Sequence, residues 1–345
     1  MNIDKLVRPN INRLSPYSSA RNEFTGTAAV FLDANENPFN APYNRYPDPL
    51  QKNVKEKLAA VKGVKPENIF LGAGSDEGID LAYRIFCRPN IDNAVAIAPS
   101  YGMYEVCADI NDIEYRKVQL DDNFCFTPAD LLAATDENTK LIWICSPNNP
   151  TGNAASTDII KTVAKGFNGI VMVDEAYIDF SNKGSMLEYL ADYPNVIVLQ
   201  TFSKAWGCAG LRLGAAFASP EIIDYYNKVK YPYNLNTVTQ ELALQALEDR
   251  HMVKVWVEEL IESRTHLADE LKDISCVKRI YPSDANFILV KVDNPDNLYS
   301  YLCQNGIIVR NRNRVEKCAG CLRITIGTIE ENTQLLNAIK EYERK

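Results

Sequence analysis

Five short runs along the first two thirds of the chain are apolar throughout rather than alternating. They are Ile69-Phe70-Leu71, Ala94-Val95-Ala96-Ile97-Ala98, Leu141-Ile142-Trp143-Ile144-Cys145, Gly169-Ile170-Val171-Met172-Val173 and Val196-Ile197-Val198-Leu199. Strands buried on both faces carry this pattern. A helical segment over residues 50–62 precedes them, and others separate them: residues 79–86, a stretch after Pro99-Ser100-Tyr101-Gly102, and one opened by Thr127-Pro128-Ala129-Asp130. In the last, a cap, a first-turn proline and an acid stand together. The alternation predicts an α/β fold with a mostly parallel sheet covered by helices.

The texture changes after Tyr233. Helical stretches over 236–248 and 253–271, the second with Trp256, Leu260, Leu267 and Leu271 on one face, lead into shorter strands over 285–290, 307–310 and 322–326. A helix near 298–304 and a last helix opened by Thr328-Ile329-Glu330-Glu331, a capping-box pattern, complete the chain. The expected division is an N-terminal arm over 1–30, a large domain over 31–248 and a smaller α+β domain over 249–345. The arm is polar and irregular apart from Leu14-Ser15-Pro16-Tyr17, and is expected to be disordered or to pack on a neighbouring subunit.

Polar residues of special kinds follow the apolar runs, where ligands bind in open α/β sheets. Gly72-Ala73-Gly74-Ser75-Asp76-Glu77-Gly78 follows the first run, and a glycine turn between strand and helix presents N–H groups to a phosphate. A dinucleotide fingerprint would need glycine where Glu77 stands, so that reading fails. Ser146-Pro147-Asn148-Asn149-Pro150-Thr151-Gly152 and Asp174-Glu175-Ala176-Tyr177 follow the third and fourth runs. After the fifth come Thr201, Ser203, Lys204 and Arg212, before a second apolar run, Ala215-Ala216-Phe217. Burying this much positive charge is costly unless an anion or a covalent partner meets it.

The whole chain excludes several other chemistries. Its 45 acidic residues outnumber 37 basic ones, for a net charge of −8, so neither nucleic acid nor an anionic membrane is an expected partner. No apolar run approaches membrane-spanning length. Nine scattered cysteines and no visible signal peptide lead us to expect reduced thiols in a cytoplasm. Cys318-x-x-Cys321 lacks a second pair or a nearby histidine, so no metal is expected. With only His251 and His266 present, both in a polar helical stretch, nucleophile–histidine catalysis is not expected.

An enclosed lysine forms Schiff bases with carbonyls, and pyridoxal phosphate offers both an aldehyde and a phosphate. That cofactor also needs a carboxylate at its pyridine nitrogen, donors to its phenolate oxygen, a stacking aromatic and a phosphate cradle. Asp174, Asn149 with Tyr177, Tyr101, and the Ser75/Asp76 turn with Ser203 and Arg212 stand at strand ends as candidates for each. Singly, each has a plainer reading: Asp174 as a helix cap, Asn149-Pro150 as a turn, Tyr101 as core, Ser75 and Asp76 as N-cap residues.

Taken together these residues resemble a known family. The chain is similar throughout to fold-type I pyridoxal-phosphate aminotransferases of class II, on the branch of the histidinol-phosphate aminotransferases. Asn35-Glu36-Asn37-Pro38, Arg45-Tyr46-Pro47-Asp48, Pro99-Ser100-Tyr101-Gly102-Met103-Tyr104, the Asn149-Pro150-Thr151-Gly152 and Asp174 segments, the Lys204 segment and Leu322-Arg323-Ile324-Thr325-Ile326-Gly327-Thr328 carry the resemblance in the family's order.

The resemblance implies a homodimer with active sites at the subunit interface. It implies that Lys204 binds the cofactor aldehyde and then shuttles a proton at the substrate Cα, while Asp174 pairs with the pyridinium. Tyr177 and Asn149 bond the phenolate oxygen, and Tyr101 stacks on the ring. Gly74, Ser75, Asp76, Ser203 and Arg212 hold the phosphate, Thr201 supports that loop, and Tyr46 reaches the phosphate from the neighbouring subunit. Arg323 and Arg310 meet the substrate anion, with Asn35 and, from the arm, Tyr17 and Arg21. Arg310-Asn311-Arg312-Asn313-Arg314 is richer in arginine than the family pattern, which leaves open which of the three meets substrate. The implied reaction joins glutamate and imidazole-acetol phosphate to histidinol phosphate and 2-oxoglutarate, in histidine biosynthesis. An aromatic-amino-acid aminotransferase, a decarboxylase of an amino-acid phosphate and a non-catalytic sensor are the alternatives.

Overall fold

A computed structural model describes residues 2–17 and 29–344. The continuous apolar runs all fall in a seven-stranded sheet: β1 (Ile69–Ala73), β2 (Asn93–Ala98), β3 (Glu114–Gln119), β4 (Thr139–Cys145), β5 (Ile170–Asp174), β6 (Val196–Thr201) and β7 (Leu213–Phe217). Its order is β1-β7-β6-β5-β4-β2-β3. The strands from β3 to β6 run parallel, and β7 lies antiparallel between β1 and β6. Successive residues of the same strand enter opposite cores. Ile142, Ile144, Val171, Val173 and Val198 pack on one face, and Leu141, Trp143, Ile170, Met172 and Ile197 on the other. A strand with a core on each side must be apolar at every position, hence the unbroken runs.

The connecting helices are α1 (Pro9–Asn12), α2 (Lys52–Lys62), α3 (Ser75–Phe86), α4 (Met103–Ile110), α5 (Pro128–Ala133), α6 (Thr157–Gly166) and α7 (Pro220–Val229). Thr127 caps α5 in a capping box with Asp130, as its sequence pattern predicts. The start of α3 differs from the plainer expectation: Gly74, not Ser75 or Asp76, is its N-cap, at φ +77° and without a side-chain cap bond. The first turn therefore keeps N–H groups free of a capping side chain.

The chain's beginning also differs from the expectation of an irregular arm. Ile3 and Val7 are buried in the large core, and the Arg8 N–H donates to the Ile85 carbonyl at 2.9 Å. The spacing of Ile3, Val7 and Ile11 is the signal for this packing, diluted by the polar residues between them.

After α8 (Thr237–Glu248), the long α9 (Arg250–Lys272) leads to a second sheet, all antiparallel and ordered β10-β11-β9-β8. Its strands are β8 (Val277–Ile280), β9 (Phe287–Val292), β10 (Arg310–Asn311) and β11 (Cys321–Thr325), with α10 (Pro295–Gln304) and α11 (Ile329–Tyr342) packed on it. The loop after β4 fixes this sheet against the first. The Asp284 N–H donates to the Gly152 carbonyl at 2.7 Å, and the Ala154 N–H to Asp284 Oδ2 at 2.9 Å. Gly152, at φ +88°, has no room for a Cβ, which would fall 2.6 Å from Ser283 Oγ. This contact brings β10 and β11 to the C-terminal ends of the parallel strands.

Candidate active site

The antiparallel β7 determines the shape of the Lys204 segment. The chain leaves β6 at Thr201, crosses a turn and a 3-10 stretch (Ala209–Leu211), and re-enters the sheet at Leu213. Within the turn, the Ser203 N–H donates to Thr201 Oγ1 at 3.1 Å. Arg212 sits at φ +50°, and its carbonyl accepts from the Gly74 N–H at 2.8 Å. Gly214 then passes so near the turn that a Cβ there would lie 2.3 Å from Gly74 C and Ser75 N. Gly74, Ser75, Arg212 and Ser203 thus surround the N-terminus of α3, an arrangement that attracts anions through free N–H groups and the helix dipole. Asp76 Oδ2 lies 3.6 Å from Arg212 Nη2, and its Oδ1 accepts from the Tyr101 hydroxyl at 3.0 Å.

A cavity of about 700 Å³ opens beside this cradle. Gly74, Ser75, Asp76, Tyr101, Asn149, Asp174, Tyr177, Thr201, Ser203, Lys204, Arg212, Arg310 and Arg323 all line it. Desolvation and the nearby Arg323 and Arg212 hold the Lys204 amine below its ordinary pKa, which favours the neutral nucleophile. Lys204 Nζ stands 5.6 Å from the centre of the Tyr177 ring. Asp174 is buried at the end of β5, and burial raises its carboxyl to about 6 despite hydrogen bonds from the Tyr104 hydroxyl and the Ala176 N–H. A buried carboxylate with donors but no ion pair among the described residues, and only the Lys204 charge acting on it from nearby, is suited to hold a protonated ring nitrogen. Arg323 Nη1 donates to Asn149 Oδ1 in a very short contact, which turns the amide's NH₂ group away from the arginine. Arg323 Nε is buried without a partner among the described residues.

Other expected residues lie elsewhere. Asn35 and Tyr46 line a separate hollow with Arg45 and Asn236, where Tyr46 stacks on Tyr233 at 4.4 Å between ring centres. Tyr17 is 71% exposed and does not line the Lys204 cavity, and Arg21 falls outside the described residues. Of the arginine-rich segment, Arg310 and Arg312 reach the cavity and Arg314 does not. One contributor has no role in the sequence reading: Tyr104, fully buried and stacked on Trp143 at 4.7 Å, bonds Asp174. Its signal is its place three residues beyond Tyr101, in the first turn of α4. Of the three arginines that the sequence leaves open, Arg312 joins Arg310 at the cavity.

The comparisons agree with this chemistry. The model for "Aminotransferase class I and II" matches residues 21–339. The chain belongs to the class I and II aminotransferase family. This aminotransferase is 55% identical over 342 residues to the histidinol-phosphate aminotransferase of Bacteroides thetaiotaomicron, covering 99% of each chain. It is 57% identical over 335 residues to that of Parabacteroides distasonis, covering 97% of each. Among solved structures, the histidinol-phosphate aminotransferase of Sinorhizobium meliloti in complex with pyridoxal-5'-phosphate superposes with a TM-score of 0.79 at 25% identity, over 87% of this chain and 83% of that one. The aminotransferase's residues fit that cofactor: a lysine held below its ordinary pKa, a buried carboxylate without an ion-pair partner among the described residues, and an anion cradle lie in one cavity. Among the described residues no cluster suits a metal and no helix is long and apolar enough to cross a membrane.

Proposed function

We propose that this aminotransferase transfers the amino group of glutamate to imidazole-acetol phosphate, giving histidinol phosphate and 2-oxoglutarate. The cofactor supplies an aldehyde for the amine and a ring that takes up the electron pair left at the substrate Cα. Lys204 would hold the cofactor through its aldehyde, and its amine would serve as the base that takes the proton at the substrate Cα. Asp174 keeps the pyridine nitrogen protonated, with Tyr104 orienting the carboxylate. Asn149 and Tyr177 donate to the phenolate oxygen, and Tyr101 covers the ring. Gly74, Ser75, Asp76, Ser203 and Arg212 hold the phosphate, with Thr201 fixing the Ser203 backbone.

One observation carries the choice of substrate. Arg310, Arg312 and Arg323 line the same cavity as Lys204, and the cavity's two carboxylates, Asp76 and Asp174, are bonded by other groups. A group of guanidinium ions without carboxylate partners among the described residues suits an anionic substrate. In the same reading the protein is a cytoplasmic homodimer. Tyr46, Asn35, Tyr17 and Arg21 complete the partner's site, and residues 249–345 form the smaller domain that carries the substrate arginines. A coupled assay with histidinol phosphate and 2-oxoglutarate tests this: glutamate formation is expected. High rates with aromatic amino acids and none with histidinol phosphate would reject the substrate, and release of carbon dioxide would indicate a decarboxylase instead.

A further inference from the structure

The segment Arg310-Asn311-Arg312-Asn313 alternates two residue types, and the structure sends the two types in opposite directions. On one side, Asn311 Nδ2 donates to Asp296 Oδ1 at 2.6 Å and Asn313 Nδ2 to Asp296 Oδ2 at 2.9 Å. Both amides thereby clasp the first turn of α10. On the other side Arg310 and Arg312 line the Lys204 cavity. Arg310 lies directly opposite Arg323 across the β10–β11 ladder. The Arg312 N–H extends the pairing by donating to the Cys321 carbonyl at 2.9 Å. A two-residue period thus places three guanidinium groups on one face.

We infer that Arg312 is a specificity-determining residue that favours a doubly charged phosphate ester over a singly charged carboxylate at the position facing Arg310 and Arg323. The inference rests on the substrate reading above. Arg312 is half-buried, and its Nε is enclosed without a partner among the described residues. Its charged neighbours are Arg323 and Arg310, and desolvation with those two like charges lowers its pKa to about 10. A buried guanidinium that stabilised the fold alone would have a carboxylate partner. Arg312 has no carboxylate partner among the described residues, so the anion is left to a ligand. Arg323 has already committed one nitrogen to Asn149, so its fork is only partly free. A carboxylate needs one bidentate partner, whereas three terminal phosphate oxygens can engage several forks. The third arginine therefore adds more to phosphate than to carboxylate, and specificity is that difference.

The test uses the cofactor-loaded enzyme and separates the half-reactions by single-turnover spectroscopy. Arg312→Gln is expected to raise KM for histidinol phosphate about 10- to 100-fold, the loss typical of a charge-assisted hydrogen bond. The glutamate half-reaction should change far less, and Arg312→Lys should fall between the two. The melting temperature of Arg312→Gln should hold or rise, because the change relieves like-charge repulsion. Arg314→Gln, exposed and outside the cavity, is the control and should behave as wild type. Equal changes in both half-reactions, or a marked fall in melting temperature, would overturn the role. Wild-type enzyme inert toward histidinol phosphate would instead overturn the substrate reading. Calorimetry with inorganic phosphate would then still decide Arg312: weakened binding in Arg312→Gln supports the inference and unchanged binding refutes it.

Discussion

Tyr104 gives Asp174 its orientation. Its hydroxyl is enclosed between Trp143 and the carboxylate, at 2.5 Å from Asp174 Oδ2, and both side chains are buried. Tyr104→Phe leaves the ring stack intact and removes one donor to a buried carboxylate. The expected result is weaker cofactor retention by about tenfold, read by dialysis and cofactor absorbance, together with a higher pKa for Asp174. Asp174→Asn should lose far more, because it removes the charge proposed to pair with the ring nitrogen. Equal retention in Tyr104→Phe and wild type would show that the Ala176 N–H suffices to hold the carboxylate.

At the scale of elements, the approach of β7 to the first turn of α3 builds the phosphate cradle. Gly214→Ala places a methyl 2.3 Å from backbone atoms of Gly74 and Ser75, which cannot move aside as a side-chain tip can. Overpacking of this kind costs on the order of 1–3 kcal/mol, and the cradle must open to relieve it. Lower thermal stability and weaker cofactor binding are both expected. Gly210→Ala, whose Cβ would meet nothing within 4 Å, should alter neither. Matching behaviour of the two variants would show that the close approach is not what shapes the cradle. The parallel strands were legible in the sequence because a strand with a core on each face leaves an unbroken apolar run. Lys204, Asp174 and the Gly74 turn were legible because each follows such a run. The reversal of β7 was not, since Ala215-Ala216-Phe217 has the same composition whichever way it runs. Nor was Arg312, whose facing depends on the register of a two-residue strand and on Asp296, which lies 16 positions away in sequence. Ile3 and Val7 are not legible because Asn2, Asp4, Lys5 and Arg8 around them mask a short buried turn.

At the scale of the molecule, the site makes stability depend on pH in a way that reports whether the cofactor is bound. Without the cofactor, Asp174 has a pKa of about 6, raised by burial even with the Lys204 charge nearby, against about 3.9 for an unfolded aspartate. The folded state then binds more protons than the unfolded state between those values. Its contribution is full below about pH 4 and is lost as pH rises through 6, by about 3 kcal/mol. Glu175, buried with its oxygens accepting from Ser185, Met186 and Gln200 and raised to about 7, acts in the same direction over a slightly higher window. Cofactor-stripped protein should therefore lose stability from pH 4 to pH 7. With a protonated ring nitrogen at Asp174 the carboxylate stays ionised and the sign of its part reverses, while the Glu175 part is unchanged. The gap in melting temperature between loaded and stripped protein should accordingly widen as pH rises over this range. Asp174→Asn should flatten the Asp174 part of the stripped curve, and Glu175→Gln should remove the remainder. A constant gap across pH 4–7 in the wild-type protein would mean that Asp174 does not face the ring nitrogen.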